Sequence, residues 1–248
     1  MAKTDVIVES TLPRIVYIPF SKNHQFVGRR AALEDLQREL FTAPDCQRMA
    51  VVGLGGVGKT QVVLSFAYWV LDTQPETSIF WIPALSAKTS ERAMAQIALR
   101  LGIRSVAGSG EDVKELVRRH LSAPSADKWL LIADEITLFE PSKDSDGLLP
   151  SLPGSRLGST IFTTRTHDVA QRLAGSNVLE MFKLRRNEAV ELLGRTLIRT
   201  EVLEDATREF LVELNYVPLA ITQGAAYINV NKVPLSQYLG PSEAPTRT

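Results

Sequence analysis

Short apolar runs alternate along this chain with stretches whose apolar residues recur every three or four positions. Met49-Ala50-Val51-Val52, Ser78-Ile79-Phe80-Trp81-Ile82, Trp129-Leu130-Leu131-Ile132-Ala133 and Ser159-Thr160-Ile161-Phe162-Thr163-Thr164 are runs of the first kind, and Val178 to Phe182 is a shorter one. A strand with no polar alternation is covered on both faces, as in a parallel sheet. Leu33, Leu36, Leu40 and Phe41 share one helical stripe, as do Val62, Val63, Phe66, Ala67 and Val70. Ser90 to Leu101 and Asp112 to Leu121 have the same period, with Ala93, Ile97, Val113, Leu116 and Val117 facing inward. Ile15 to Ile18, closed by Pro19, reads as a linker or an edge strand. Val106–Glu111 and Pro141–Gly158 are rich in loop residues. Strands that alternate with helices predict an α/β fold, a parallel sheet with helices on both faces. From Asn187 the pattern changes: 187–199, 204–215 and 219–230 all read as helices with no strand between them. The expected organisation is a linker at 1–22, a sheet domain at 23–185, a small all-helical lid at 186–239 and a frayed polar tail at 240–248.

Composition removes several function classes. Lysine plus arginine equals aspartate plus glutamate at 28 each, so no global field draws the chain to nucleic acid or to an anionic membrane. No run is long and apolar enough for a membrane span, and the first residues lack the apolar core of a secretory signal. Cys46 is the only cysteine, which excludes an intrachain disulfide and fits a reducing cytoplasm. His24, His120 and His167 lie far apart without ligand spacing, and each reads as a surface or capping histidine.

The chemistry concentrates where strands end. Gly53-Leu54-Gly55-Gly56-Val57-Gly58-Lys59-Thr60 matches G-x-x-x-x-G-K-[ST] between an apolar strand and a helical stripe. Gly53, Gly55, Gly56 and Gly58 let the backbone wrap a phosphate with its N–H groups inward. Val57 within the loop and Gln61 just after it are taken as nucleotide-binding too, and the helix that follows adds its positive end. Lys59 should neutralise the β- and γ-phosphates, and Thr60 should ligate magnesium. The ligand implied is a purine nucleotide, ATP or ADP with Mg2+. Asp134 ends an apolar strand where an unpaired charge is costly, and it is the expected magnesium carboxylate. Glu135 reads either as a general base for the attacking water or as a solvated loop residue. Arg165, after the next strand, reads either as a γ-phosphate sensor or as a surface arginine paired with Asp168.

These segments together resemble the NB-ARC branch of the signal-transducing (STAND) P-loop ATPases found in NLR-type immune receptors, fungal members in particular. The resemblance covers roughly residues 15–239. Phe26-Val27-Gly28-Arg29 is similar to the loop with which the family contacts the adenine. Lys128 to Glu135 is similar to its acidic strand, and Ser159 to Arg165 to its Thr-Thr-Arg sensor. Leu214 to Ala220 is similar to its Gly-Leu-Pro-Leu motif, whose proline, here Pro218, packs on the nucleotide from the lid. Tyr216-Val217 stand where many relatives have Gly-Leu, and Glu135 where many fungal relatives have Asn.

The resemblance implies a P-loop NTPase sheet domain with a helical lid, acting as an ATP/ADP-dependent switch in defence or self/non-self signalling. Hydrolysis would be slow and Mg-dependent, and protein partners or self-association would run through the nucleotide-binding domain. No winged-helix segment with its Met-His-Asp motif is recognised after residue 239. The expectation is therefore a fragment, a short form or a partner of longer relatives. Rival readings are a small-molecule kinase, which needs an arginine-rich acceptor lid, and a non-catalytic interaction module. A DNA-binding regulator is disfavoured by the balanced charge and the lack of a recognisable helix-turn-helix.

Overall fold

The computed structural model describes residues 14–42, 48–103, 112–136, 152–198 and 204–238. Six strands form one sheet: β1 (Val16–Tyr17), β2 (Arg48–Val52), β3 (Ser78–Pro83), β4 (Trp129–Ile136), β5 (Gly158–Thr164) and β6 (Val178–Glu180). Their order is β1-β3-β4-β5-β2-β6, and every pair is parallel. The N-terminal run Ile15–Ile18 thus contributes an edge strand rather than a bare linker. β6 stops two residues before the expected Phe182, which is 63% exposed.

The strands alternate their side chains between two separate cores, as pleating requires. Ala50, Val52, Phe80, Ile82, Leu131, Ala133 and Phe162 face α3 (Ala87–Arg100), α4 (Val113–Ser122) and α5 (His167–Ala174). Met49, Val51, Ile79, Trp81, Leu130, Ile132 and Ile161 face α1 (Arg30–Gln37) and α2 (Lys59–Thr73). Helices cover both faces, and that is why the strands read as unbroken apolar runs. Helix α1 runs into a π-helical turn at Arg38–Thr42, so the stripe expected over 31–41 spans two helix types. Helix α3 starts at Ala87, ahead of the expected Ser90, because the Ser86 side chain accepts the Thr89 N–H as an N-cap. Helix α5 is absent from the sequence reading; its eight residues, with Val169, Ala170, Leu173 and Ala174 buried, are too few to make a strong period. Cys46, the loop at 106–111, most of the loop at 141–158 and the tail from 240 lie outside the described residues.

A third core is built mainly by helices. Helices α6 (Arg186–Thr196), α7 (Glu204–Glu213), α8 (Pro218–Asn231) and α9 (Leu235–Tyr238) bury Leu192, Leu193, Phe210, Leu211, Ile221, Ala225 and Ile228 together. Val27 belongs to this core although it lies far upstream in the sequence. The loop before α1 is therefore held by the helical unit, directly above the C-terminal ends of the strands.

Candidate functional site

Strand β2 sits between β5 and β6, and the chain leaves it toward β3 on the far side of β5. In open parallel sheets, ligands bind at the carboxyl ends of strands beside such a crossover. A cavity of about 410 Å³ lies there, within the usual range for small-molecule sites.

The glycine loop forms its floor. A neighbour constrains Gly53: at φ +156 its α-carbon faces the Met181 carbonyl, where any Cβ would collide with the oxygen. Gly58, at φ 96, is the N-cap of α2 in the left-handed region that glycine adopts without strain. Gly55, Gly56, Val57, Gly58, Lys59, Thr60 and Gln61 all border the cavity. Lys59 is buried, and its ammonium donates to the carbonyls of Gly53 (2.8 Å) and Leu54 (3.0 Å). Burial is the main cause that lowers its pKa; the Arg165 charge adds to this, and Glu135 and Asp134 oppose it. A lysine so placed gains from an anion, because the anion restores the solvation that burial removes.

Behind the loop lies the acidic end of β4. Asp134 is 6% exposed, and its Oδ1 accepts the hydroxyls of Thr60 (3.0 Å) and Thr163 (2.6 Å). Burial raises its pKa; the Thr163 and Thr60 hydrogen bonds and Lys59 pull the other way, while Glu135 raises it further. Glu135 borders the cavity and lies 3.8 Å from Arg165. Arg165 reaches over the loop, so that a Cβ added at Gly55 would meet its guanidinium. Its expected alternative partner, Asp168, pairs instead with Arg172 at 3.0 Å.

The roof comes from the 26–29 loop and the helical unit. Phe26, Val27 and Arg29 border the cavity opposite Leu184, Leu192, Pro218 and Leu219. Gly28 does not; it lies beneath the Glu188 side chain. The Arg29 guanidinium donates to the carbonyls of Val57 (2.9 Å) and Phe182 (2.6 Å), joining the 26–29 loop to the glycine loop. Burial lowers the Arg29 pKa, with the Glu188 charge opposing. Glu188, on α6, accepts from the backbone N–H of Arg29 (2.9 Å) and from that of Arg185 (2.9 Å). Arg195 donates to the Phe26 carbonyl (3.1 Å). Helix α8 begins with Pro218 at its first turn, and the Leu219 N–H donates to the Gly56 carbonyl (3.2 Å). Tyr216, where the sequence departs from glycine, has φ 56. A tyrosine holds here a backbone that costs non-glycine residues about 1 kcal/mol.

Sequence reasoning missed Glu188, Thr163, Arg195, Leu184 and Leu192. Glu188 is one of several glutamates on an exposed helical face, and nothing local marks its partner in the 26–29 loop. Thr163 lies inside the motif quoted, but which of two adjacent threonines turns toward Asp134 depends on strand register.

Comparison with known proteins agrees with this geometry. The family model of the NB-ARC domain matches residues 29–203. A nucleotide-binding leucine-rich repeat (NLR)-like protein of Hyaloscypha variabilis is 38% identical over 244 residues, covering 91% of this chain and 24% of its own. The disease resistance RPP13-like protein 4 of Arabidopsis thaliana is 30% identical over 158 residues, covering 62% of this chain and 18% of its own. The chain thus spans about a quarter of the first relative and under a fifth of the second. Among solved structures, Drosophila ORC bound to DNA aligns with a TM-score of 0.63 at 16% identity, over 84% of this chain and 57% of that one. Cdc6p from Pyrobaculum aerophilum aligns with a TM-score of 0.58 at 15% identity, over 87% and 65%. At such identities these two likenesses speak for the fold alone.

Proposed function

The chain belongs to the NB-ARC domain family, and we propose on that premise that it is the ATP- and ADP-binding switch unit of an NLR-like signalling protein acting in defence or self/non-self recognition. The observation that carries the reading is the joint at the cavity. The first turn of α8 touches the glycine loop through Leu219 and Gly56, and the first turn of α6 holds the 26–29 loop through Glu188 and Arg29. A ligand between these parts contacts both units, and its differential affinity for their two arrangements can shift the balance between them.

The residues present fit magnesium. The Thr60 hydroxyl and the Asp134 carboxylate adjoin at 3.0 Å, and both are hard oxygen donors. Among the described residues no group of three His, Cys, Asp or Glu could cage a metal alone. Mg2+ is commonly held by one or two protein oxygens, with phosphates and water completing the shell. The buried Asp134 charge also calls for a counter-cation. When bound, the ion would neutralise charge on the β- and γ-phosphates.

The chain's own groups divide the remaining work. Lys59 draws the phosphates into the loop. Phe26, Val27, Leu184, Leu192 and Pro218 offer apolar surface to the base. For slow hydrolysis, Glu135 is the group we assign to orient water toward the γ-phosphorus and take its proton as the bond to the bridging oxygen breaks, yielding ADP and phosphate. Arg165 is assigned to the γ-phosphate. The kinase reading needs free arginines in the lid. Of the three lid arginines, Arg195 bonds Phe26 and Glu191, Arg208 pairs with Asp205, and Arg199 lies outside the described residues. No described helix is long and apolar enough to cross a membrane. A cytoplasmic site of action, and protein partners or self-association through this domain, complete the proposal.

Titration of the purified chain with fluorescent ATP and ADP analogues, with and without magnesium, tests it. Lys59→Ala should weaken both by at least about tenfold, or about 1.4 kcal/mol. A folded variant that binds as the wild type does would refute the assignment of the loop.

A further inference from the structure

The pairing of β4 with β5 is regular from Trp129 opposite Gly158 to Ala133 opposite Phe162, and resumes at Ile136 opposite Thr164. Two residues, Asp134 and Glu135, thus face the single residue Thr163. This is a β-bulge, a device that re-aims side chains next to functional sites. Glu135 adopts φ 61 there, a left-handed backbone that non-glycine residues occupy only when something holds them.

A side-chain hydroxyl holds its N–H. Thr163 is fully buried. Its Oγ1 accepts the Glu135 N–H at 2.8 Å and donates its proton to Asp134 Oδ1 at 2.6 Å. Thr164 pins the far side of the bulge by donating to the Ile136 carbonyl at 2.8 Å. Thr60 bonds the same oxygen of Asp134, so two hydroxyls fix the carboxylate's rotation. A hydroxyl at a fully buried strand position is costly unless paired, and valine would fill the same space without it. Here its donor and its acceptor functions go to two successive acids with different assigned roles.

We propose that Thr163 is a positioning residue of this site: its buried hydroxyl holds the rotation of Asp134 alongside Thr60, and the same hydroxyl holds the left-handed turn at Glu135. Resting on the nucleotide-and-magnesium reading above, this makes the gain in nucleotide binding from magnesium depend on Thr163 through Asp134. Groups that orient a metal's ligand without touching the metal change metal affinity by about 10–100-fold when lost.

The test compares wild type, Thr163→Val and Thr163→Ser, each checked by thermal melting, for the affinity of a fluorescent ADP analogue in excess magnesium and in EDTA. Thr163→Val should lose about tenfold of the affinity gained with magnesium. In EDTA it should bind within about twofold of wild type, since the glycine loop is unchanged. Thr163→Ser, which keeps the hydroxyl, should retain the magnesium gain. A folded Thr163→Val that keeps the full gain overturns the proposal. So does an equal loss in the valine and serine variants, which would mark the methyl packing as the cause. Should the valine chain not fold, Thr163→Cys replaces it: a weak donor of similar size, it should lose most of the gain, and full retention overturns the proposal. A wild type that binds no ADP analogue under either condition refutes the functional reading itself, a result distinct from all of these.

Discussion

Glu188→Ala would unfasten the helical unit from the 26–29 loop, and the size of the effect follows from the bonds it removes. The carboxylate accepts two backbone N–H groups at 2.9 Å, one from Arg29 across the joint and one from Arg185, the N-cap of its own helix. Hydrogen bonds to a charged group contribute about 1.5–3 kcal/mol, and partial exposure of Glu188 favours the low end. Losing the Arg29 bond should therefore speed release of an ADP analogue about tenfold, the equivalent of about 1.4 kcal/mol. Losing the Arg185 bond removes a helix cap worth about 1 kcal/mol. Together they should lower the melting temperature by about 5–10 °C. Glu188→Gln keeps one acceptor and should fall between. Partial burial by itself would raise the Glu188 pKa, but the two N–H groups and the Arg29 and Arg185 charges outweigh it and hold the value below the ordinary 4.5. A depressed carboxylate contributes stability above its unfolded pKa and loses it as pH falls through the folded one. The gap in melting temperature between wild type and Glu188→Ala should then close as pH drops below 4.5. Stopped-flow release and melting curves across pH measure both effects. If melting falls but release is unchanged within about twofold, the clasp is structural only and the coupling argument fails.

Asp134→Asn should melt about 2–4 °C higher than wild type at neutral pH, for roughly 1 kcal/mol, because it removes a buried charge. The raised folded pKa means that wild type holds its proton more tightly when folded, a stabilisation complete below the ordinary 3.8 and lost as pH rises through the folded value, so the variant's advantage should vanish in acid. The same variant should lose the magnesium dependence of nucleotide binding. Glu135→Gln should bind ATP as wild type does and hydrolyse it about a hundredfold more slowly in single-turnover assays, the low end for loss of a general base; equal rates would return Glu135 to a solvated role. Adenine nucleotides should outcompete guanine ones by about tenfold or more, because backbone groups matched to one base edge are left unpaired against the other; equal displacement by GTP would contradict the base-pocket assignment.

The sequence alone determined those features whose cause is local. Unbroken apolar runs such as Leu130–Ala133 follow from burial on both faces, which pleating translates directly into residue order. The glycine loop was legible because a phosphate cradle, a helix start and a lysine must be contiguous to work. Asp134 stood out as a charge at the end of an apolar strand. What only the tertiary structure decided are the contacts between distant segments. Val27 joins the helical core, Arg29 spans the glycine loop and the 26–29 loop, and Glu188 closes over Gly28 from α6. Gly53 owes its place to the Met181 carbonyl on the neighbouring strand end as well as to the loop it opens. The bulge that puts Asp134 and Glu135 opposite Thr163 depends on β4 and β5 slipping by one residue at their tips. Register between strands is set by packing and hydrogen bonding over the whole sheet, and a single chain read in order carries no local mark of it.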